Sequence, residues 1–259
     1  MPEPEQLLIN AALVKIWDAL DYWWEHAPVI PIDDSSRWVF IGDMHMEDGL
    51  PPGQGGSDDF KGHEDLFIDT INEHVAQGFR IGEGGDGRDA WEMSNERKFA
   101  LAYPDIHQRR KELMEKGIWV VLPGNHNPNR KLPQAYKFIH KTANWDALWL
   151  HGHQGTWAND RASWFGQGFV KYIWRPMQMW LWLPDPSSAR PDVNPNRHRE
   201  VTQAYELWAA TRKRHVIYHH THSMKVTEWS ANAGCWVGQD KGGNGVQLIG
   251  REWTPRYFG

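Results

Sequence analysis

Cysteine is almost missing from this chain. Cys235 is the single one in 259 residues, which excludes an internal disulfide and fits a reducing compartment. An excess of positive charge is missing too. The net charge is −5 at pH 7, so no global field draws the chain to nucleic acid or acidic membranes. No apolar run is long enough to span a bilayer, because the N-terminal apolar stretch is interrupted by Lys15, Asp18 and Asp21. The opening residues, MPEPEQLL, lack the basic region of a secretory signal. Together these absences lead to the expectation of a soluble, cytoplasmic protein.

What the chain has in abundance is tryptophan. There are 17, so many have to pack in a core or line a surface. A hydrophobic fraction of 40% supports a real core, and the length suits one large domain or two modest ones.

Residues 6–26 space Val14, Trp17, Leu20 and Trp24 as an amphipathic helix ending near Pro28 and Pro31. HEDLFIDTINEHVAQG and IHQRRKELMEKG predict two further helices. RWVFI, IWVVL, LWL and HVIY read as buried strands, and MKVTEWSANAGCWVG with NGVQLIGREWTPRYF as late antiparallel ones. Strands alternating with helices describe a layered α/β domain, in which sites collect beyond the carboxyl ends of the strands. Residues 1–37 read as an N-terminal helical extension. Residues 38–259 read as one domain carrying an aromatic insertion at about 157–200.

The strands run into side chains that bind cations. Asp43 and His45 stand two apart, as do His220 and His222, a spacing that puts both side chains of an extended pair on one side. Asp86 follows a glycine in GGDGRDAWE, with Asp89 three residues on. Asn125 and His126 lie in PGNHN, and His151 and His153 in LHGHQG. Singly, each has an ordinary reading: Asp43 or Asp86 as a turn former, His126 as a surface residue, His219 as a solvated neighbour. Together they offer carboxylate oxygens, imidazole nitrogens and an amide oxygen, a mixed set suited to Mn, Fe, Zn, Co or Ni.

The order D-x-H, G-D-x-x-D, G-N-H, H-G-H and H-x-H resembles the calcineurin-like metallophosphoesterase superfamily, over about residues 38–252. The resemblance implies a four-layer α-β-β-α sandwich of two mixed sheets, with the metal site at strand C-terminal ends. It implies hydrolysis of a phosphate monoester or diester by a metal-bridging hydroxide, and two divalent metal ions. Manganese is the first choice, with zinc, iron, nickel or cobalt as alternatives. By the same resemblance Asp43, His45 and His222 would hold one ion, and Asn125, His151 and His220 the other. Asp86 would bridge both. His126 would protonate the leaving oxygen or steady the transition state. Asp89, Asn127, His153 and His219 would support the ligands or touch substrate.

The chain departs from the family pattern in places. Asn127 replaces the acidic residue that usually supports the motif histidine, which predicts a weakened general acid at His126. His219 replaces the glycine before the last H-x-H. Glu83 in IGEGGD offers an alternative register for the bridging carboxylate; it is set aside because Asp86, Asp89, Trp91 and Glu92 fit G-D-x-x-D-x-W-E.

The insertion carries Phe165, Phe169, Tyr172, Trp174, Trp180 and Trp182. These either pack on the domain or a second copy, allowing an oligomer, or cap the site for an apolar substrate portion. Lipid A-pathway UDP-diacylglucosamine hydrolases of the superfamily carry an acyl-binding lid at this point, although HGHQG here differs from their HGD. The expected substrate is a phosphorylated small molecule or a lipid-like one. A nuclease is disfavoured by the net charge, despite the locally basic residues 212–215. A non-catalytic scaffold is disfavoured by the complete ligand set.

Overall fold

The computed structural model describes residues 4–51, 58–89, 96–155, 199–237 and 242–259. It is a mixed α/β fold with two mixed sheets. The first sheet contains β1 (Val29–Ile32), β5 (Ala135–His140), β6 (Asp146–Leu150), β7 (His215–Tyr218), β9 (Ser230–Asn232) and β8 (Lys225–Val226), in that spatial order. The second runs β11 (Glu252–Phe258), β10 (Gly243–Ile249), β2 (Arg37–Ile41), β3 (Arg80–Glu83) and β4 (Trp119–Val121). Strands β2, β3 and β4 are parallel, as are β6, β7 and β9. Strand β10 joins antiparallel to β2 and β11.

Alternation within the strands sorts the core. From β2, Trp38 and Phe40 enter a cluster with Phe138, Ala147, Trp149, Ile217 and Leu248, drawn from both sheets. Their neighbours Val39 and Ile41 point the other way, into a cluster with Phe67 and Ile71 of α2 (Glu64–Ala76) and Ile106 and Leu113 of α4 (Pro104–Glu115). From β6 and β7, Leu148, Leu150, Val216 and Tyr218 face a third cluster. It contains Ile16, Leu20 and Trp24 of α1 (Pro4–His26) and Tyr205 and Trp208 of α5 (Arg199–Arg212). Because both faces of these strands are covered, they read as unbroken apolar runs. Each fully buried large side chain contributes roughly 1.5–3 kcal/mol.

Polar tips of tryptophans tie α1 to α5. Trp17 Nε1 donates to Ala204 O at 3.1 Å and Trp208 Nε1 to Asp21 Oδ1 at 3.0 Å. Within residues 1–37, β1 pairs in parallel with β5 as the edge of the first sheet. Pro31 is tolerated there because an edge strand has a side that needs no donor.

The predicted helices are α1, α2 and α4, and the late strands are antiparallel as expected: β8 with β9 and β10 with β11. Strands β1 and β5 and helices α3 (Glu96–Ala102) and α5 were not predicted. Helix α5 does carry a helical signal, with Ala204, Tyr205, Trp208 and Ala209 buried on one face, but drawing the insertion out to residue 200 cut into its start. The rest of the insertion, 157–198, lies outside the described residues, as do Trp91 and Glu92. Among the described residues, no helix is long and apolar enough to cross a membrane.

Candidate metal centre

The candidate ligands follow strand ends in both sheets. Asp43 and His45 come after β2, Asp86 and Asp89 after β3, and Asn125 and His126 after β4. His151 and His153 follow β6, and His220 and His222 follow β7. Non-glycine residues with positive φ are concentrated among them: Asp43 (52°), His45 (47°), Asp86 (47°), His220 (68°) and His222 (58°), with Lys213 (51°) the other one described. Each such residue costs of order 1–3 kcal/mol unless its surroundings compensate. The extended spacing read from D-x-H and H-x-H is therefore corrected, because these residues turn in left-handed conformation and are not alternating positions of a strand. Glycine is needed at 124, where a Cβ would stand 2.0 Å from Asp86 Oδ1.

Three groups of side chains converge, each with ligand atoms within 4.8 Å of one another: Asp43, His45 and His222; Asp86, His151 and His220; and His45, Asp86 and His126. In the first, His222 Nε2 lies 3.3 Å from both Asp43 Oδ1 and His45 Nε2. In the second, His151 Nδ1 donates to Gly84 O at 2.7 Å, which turns Nε2 toward Asp86 Oδ2 and Asn125 Oδ1, both at 3.1 Å. With Nδ1 as the donor, the neutral ring has only a lone pair at Nε2. An imidazole lone pair, a carboxylate oxygen and an amide oxygen then face one another without a proton between them. Either a proton or a cation relieves that repulsion.

Asp43 Oδ1 is buried and has no hydrogen-bond partner among the described residues, while Oδ2 accepts from the backbone N–H of His220 at 2.8 Å. A buried carboxylate oxygen facing two imidazoles, His222 Nε2 at 3.3 Å and His45 Nε2 at 4.0 Å, suits a divalent cation, so the donor set fits the metals the resemblance implies.

The electrostatics are those of a strongly coupled site. Burial opposes ionisation of Asp43 and Asp86, but the facing histidines outweigh it and hold both carboxyls below the usual range. Burial also opposes the charged form of His151, yet Asp86 raises it. His222 is raised by Asp43 against the same penalty, with Cys235 in hydrogen-bond contact. For His45 burial wins, and its pKa is lowered.

His126 is where the sequence expectation needs correction. Asn127 does not face its imidazole. Asn127 Oδ1 accepts the backbone N–H groups of Gly124 (2.6 Å) and Asp86 (3.2 Å), closing the turn. The carboxylate behind His126 is Asp89, whose Oδ2 accepts from Nδ1 at 2.6 Å. Burial disfavours the imidazolium, but Asp89 and Asp86 outweigh it and raise the pKa to about 9. The premise of the predicted weakening, that His126 lacks a carboxylate partner, is corrected: Asp89 on another loop supplies the charge that residue 127 does not.

His219 is not a solvated neighbour. It is fully buried, and Trp149 Nε1 donates to its Nε2 at 3.2 Å. His153 is buried, with its ring 5.3 Å from that of His151; burial first, then the His151 charge, lowers it to about 3. Glu83 is engaged elsewhere: its carboxylate accepts from Arg110 Nε and Trp119 Nε1, each at 2.7 Å. Gly84 O and Trp149 are contributors that no motif signalled.

A scan against protein-family models and a search of the curated proteins each gave no match. Among solved structures, the chain is similar to a candidate diadenosine tetraphosphatase, with TM-score 0.39 and 12% identity over 90% of this chain and 99% of that one. It is also similar to a protein serine/threonine phosphatase from Saccharomyces cerevisiae with similarity to human phosphatase PP5. There the TM-score is 0.40 and the identity 10%, over 96% of this chain and 89% of that one. Likenesses this distant carry no argument about activity.

Proposed function

We propose that the chain is a phosphoesterase of the calcineurin-like metallophosphoesterase type, hydrolysing a phosphate monoester or diester at a dinuclear centre. The observation that carries this reading is the buried convergence of His151 Nε2, Asp86 Oδ2 and Asn125 Oδ1 at 3.1 Å, with the ring oriented by its Nδ1 hydrogen bond to Gly84 O. Asp43, His45 and His222 form the neighbouring half-site. Asp86 stands between the halves, and its two oxygens suit it to serve both. Three apolar clusters, one between the sheets and one against helices on each outer side, support the four-layer order.

Two divalent cations, manganese foremost, would lower the pKa of a coordinated water and offset charge on the phosphate oxygens. The chain's own residues do the rest. Asp43 and Asp86 supply the negative charge and His45, His151, His220 and His222 the neutral donors. His126, its Nδ1–H fixed on Asp89, keeps Nε2 for the leaving oxygen and carries the proton there. A phosphorylated small molecule is the substrate class we favour.

The test is hydrolysis of mono- and bis-p-nitrophenyl phosphate by metal-stripped protein reconstituted with Mn²⁺, alongside Asp86→Ala. Metal-dependent turnover that disappears in the variant supports the reading. Failure of the wild type to bind Mn²⁺ sinks it and favours a binding scaffold.

A further inference from the structure

His219 stands in the middle of the ligand loops without being one of the ligands. Its imidazole presses on two glycines of the opposite sheet's loops. A Cβ built on Gly42 would lie 2.6 Å from Nδ1, and one on Gly84 would lie 1.9 Å from Nε2. Neither position can carry a side chain while the ring is there. Gly42 immediately precedes Asp43, and Gly84 gives its carbonyl to His151. The His219 backbone N–H donates to His151 O at 2.8 Å, which joins the β7 loop to the β6 loop.

The ring is also oriented. An indole N–H only donates, so Trp149 Nε1 makes His219 Nε2 an acceptor. The ring proton then sits on Nδ1, which has no hydrogen-bond partner among the described residues. A buried donor left without a partner is costly. An apolar ring of similar size would avoid that cost but strand Trp149, and a glycine would leave a gap between the loops.

We infer that His219 is a positioning residue, a wedge that sets the distance between the Asp43 and Asp86 loops of one sheet and the His151 and His220 loops of the other. The inference rests on the dinuclear reading above. Ligand constellations work only when held to within about 0.5 Å. A gap at this junction closes only in part, so its removal displaces one set of ligands relative to the other and the two cations no longer bind as a pair.

The experiment is Mn²⁺ titration of the metal-stripped full chain, followed by electron paramagnetic resonance, which separates a spin-coupled pair from isolated ions. Kinetics on p-nitrophenyl phosphate run in parallel. Wild type should form the coupled pair. His219→Ala and Gly84→Ala should each replace it with isolated-ion signal, with kcat down about tenfold and KM little changed. Combining Gly84→Ala with His219→Gly should recover part of the coupled signal, because the new methyl enters the space the ring vacates. Coupled signal and kcat retained in both single variants would overturn the wedge while leaving the dinuclear reading intact. A wild type that never forms the pair removes the dinuclear reading and this inference with it.

Discussion

Asp89 Oδ2 lies 2.6 Å from His126 Nδ1 and 3.6 Å from His45 Nδ1, so one carboxylate stands behind two imidazoles of the centre. Both rings therefore turn their Nε2 atoms away from Asp89. For His45 that atom faces His222 and Asp43. For His126 it is the atom left for chemistry.

Asp89→Asn should lower the upper pH limit of activity. His126, raised to about 9, is protonated below that value and loses its proton as pH rises through it. Removing the Asp89 charge moves that loss toward the ordinary histidine range near 6.5. At pH 8, kcat should fall by about tenfold or more. A pH–rate profile with an unmoved basic limb would refute the role given to Asp89.

Asn127→Asp should leave the basic limb where it is, because Asn127 faces backbone N–H groups and not the imidazole. Asn127→Ala should instead destabilise the turn by about 1–3 kcal/mol, the cost of leaving such donors unpaired. Urea unfolding of the metal-free protein measures it.

Glu83→Ala should destabilise the fold while sparing the metals. Glu83 is buried and pairs with Arg110 and Trp119, and breaking such a pair from one side costs about 3–5 kcal/mol. If this variant lost Mn²⁺ binding without losing stability, Glu83 would have been the bridging carboxylate after all.

Metal removal should lower thermal stability in wild type far more than in Asp86→Ala. Ligand at about 100 times its Kd stabilises by about 2.7 kcal/mol. Calorimetry with and without chelator reads the difference, and equal shifts in the two proteins would count against Asp86 as a ligand.

Much of this protein was legible along the chain. The buried strands were visible as apolar runs because each is covered on both faces, and the ligand residues were visible because they stop those runs abruptly. The helical period sufficed for α1, α2 and α4. Short edge strands such as β1 gave no such signal: Val29 and Pro31 are exposed and Ile32 is buried, but all four residues of VIPI are apolar, so the alternation in burial leaves no polar–apolar pattern in the sequence.

The tertiary structure decided what sequence neighbours cannot. Asn127 sits beside His126 in the chain, yet the turn it closes points its oxygen at Gly124 and Asp86, and the supporting charge arrives from Asp89 on another loop. His219 looked like a loop residue next to a motif, yet the approach of two sheets buries it against Gly42 and Gly84. Residue types and their order are local properties, and so they specify which chemistry is available. Which side chain faces which depends on left-handed turns at Asp43, Asp86 and His220 and on the packing of one sheet against the other, and only the folded chain holds that information.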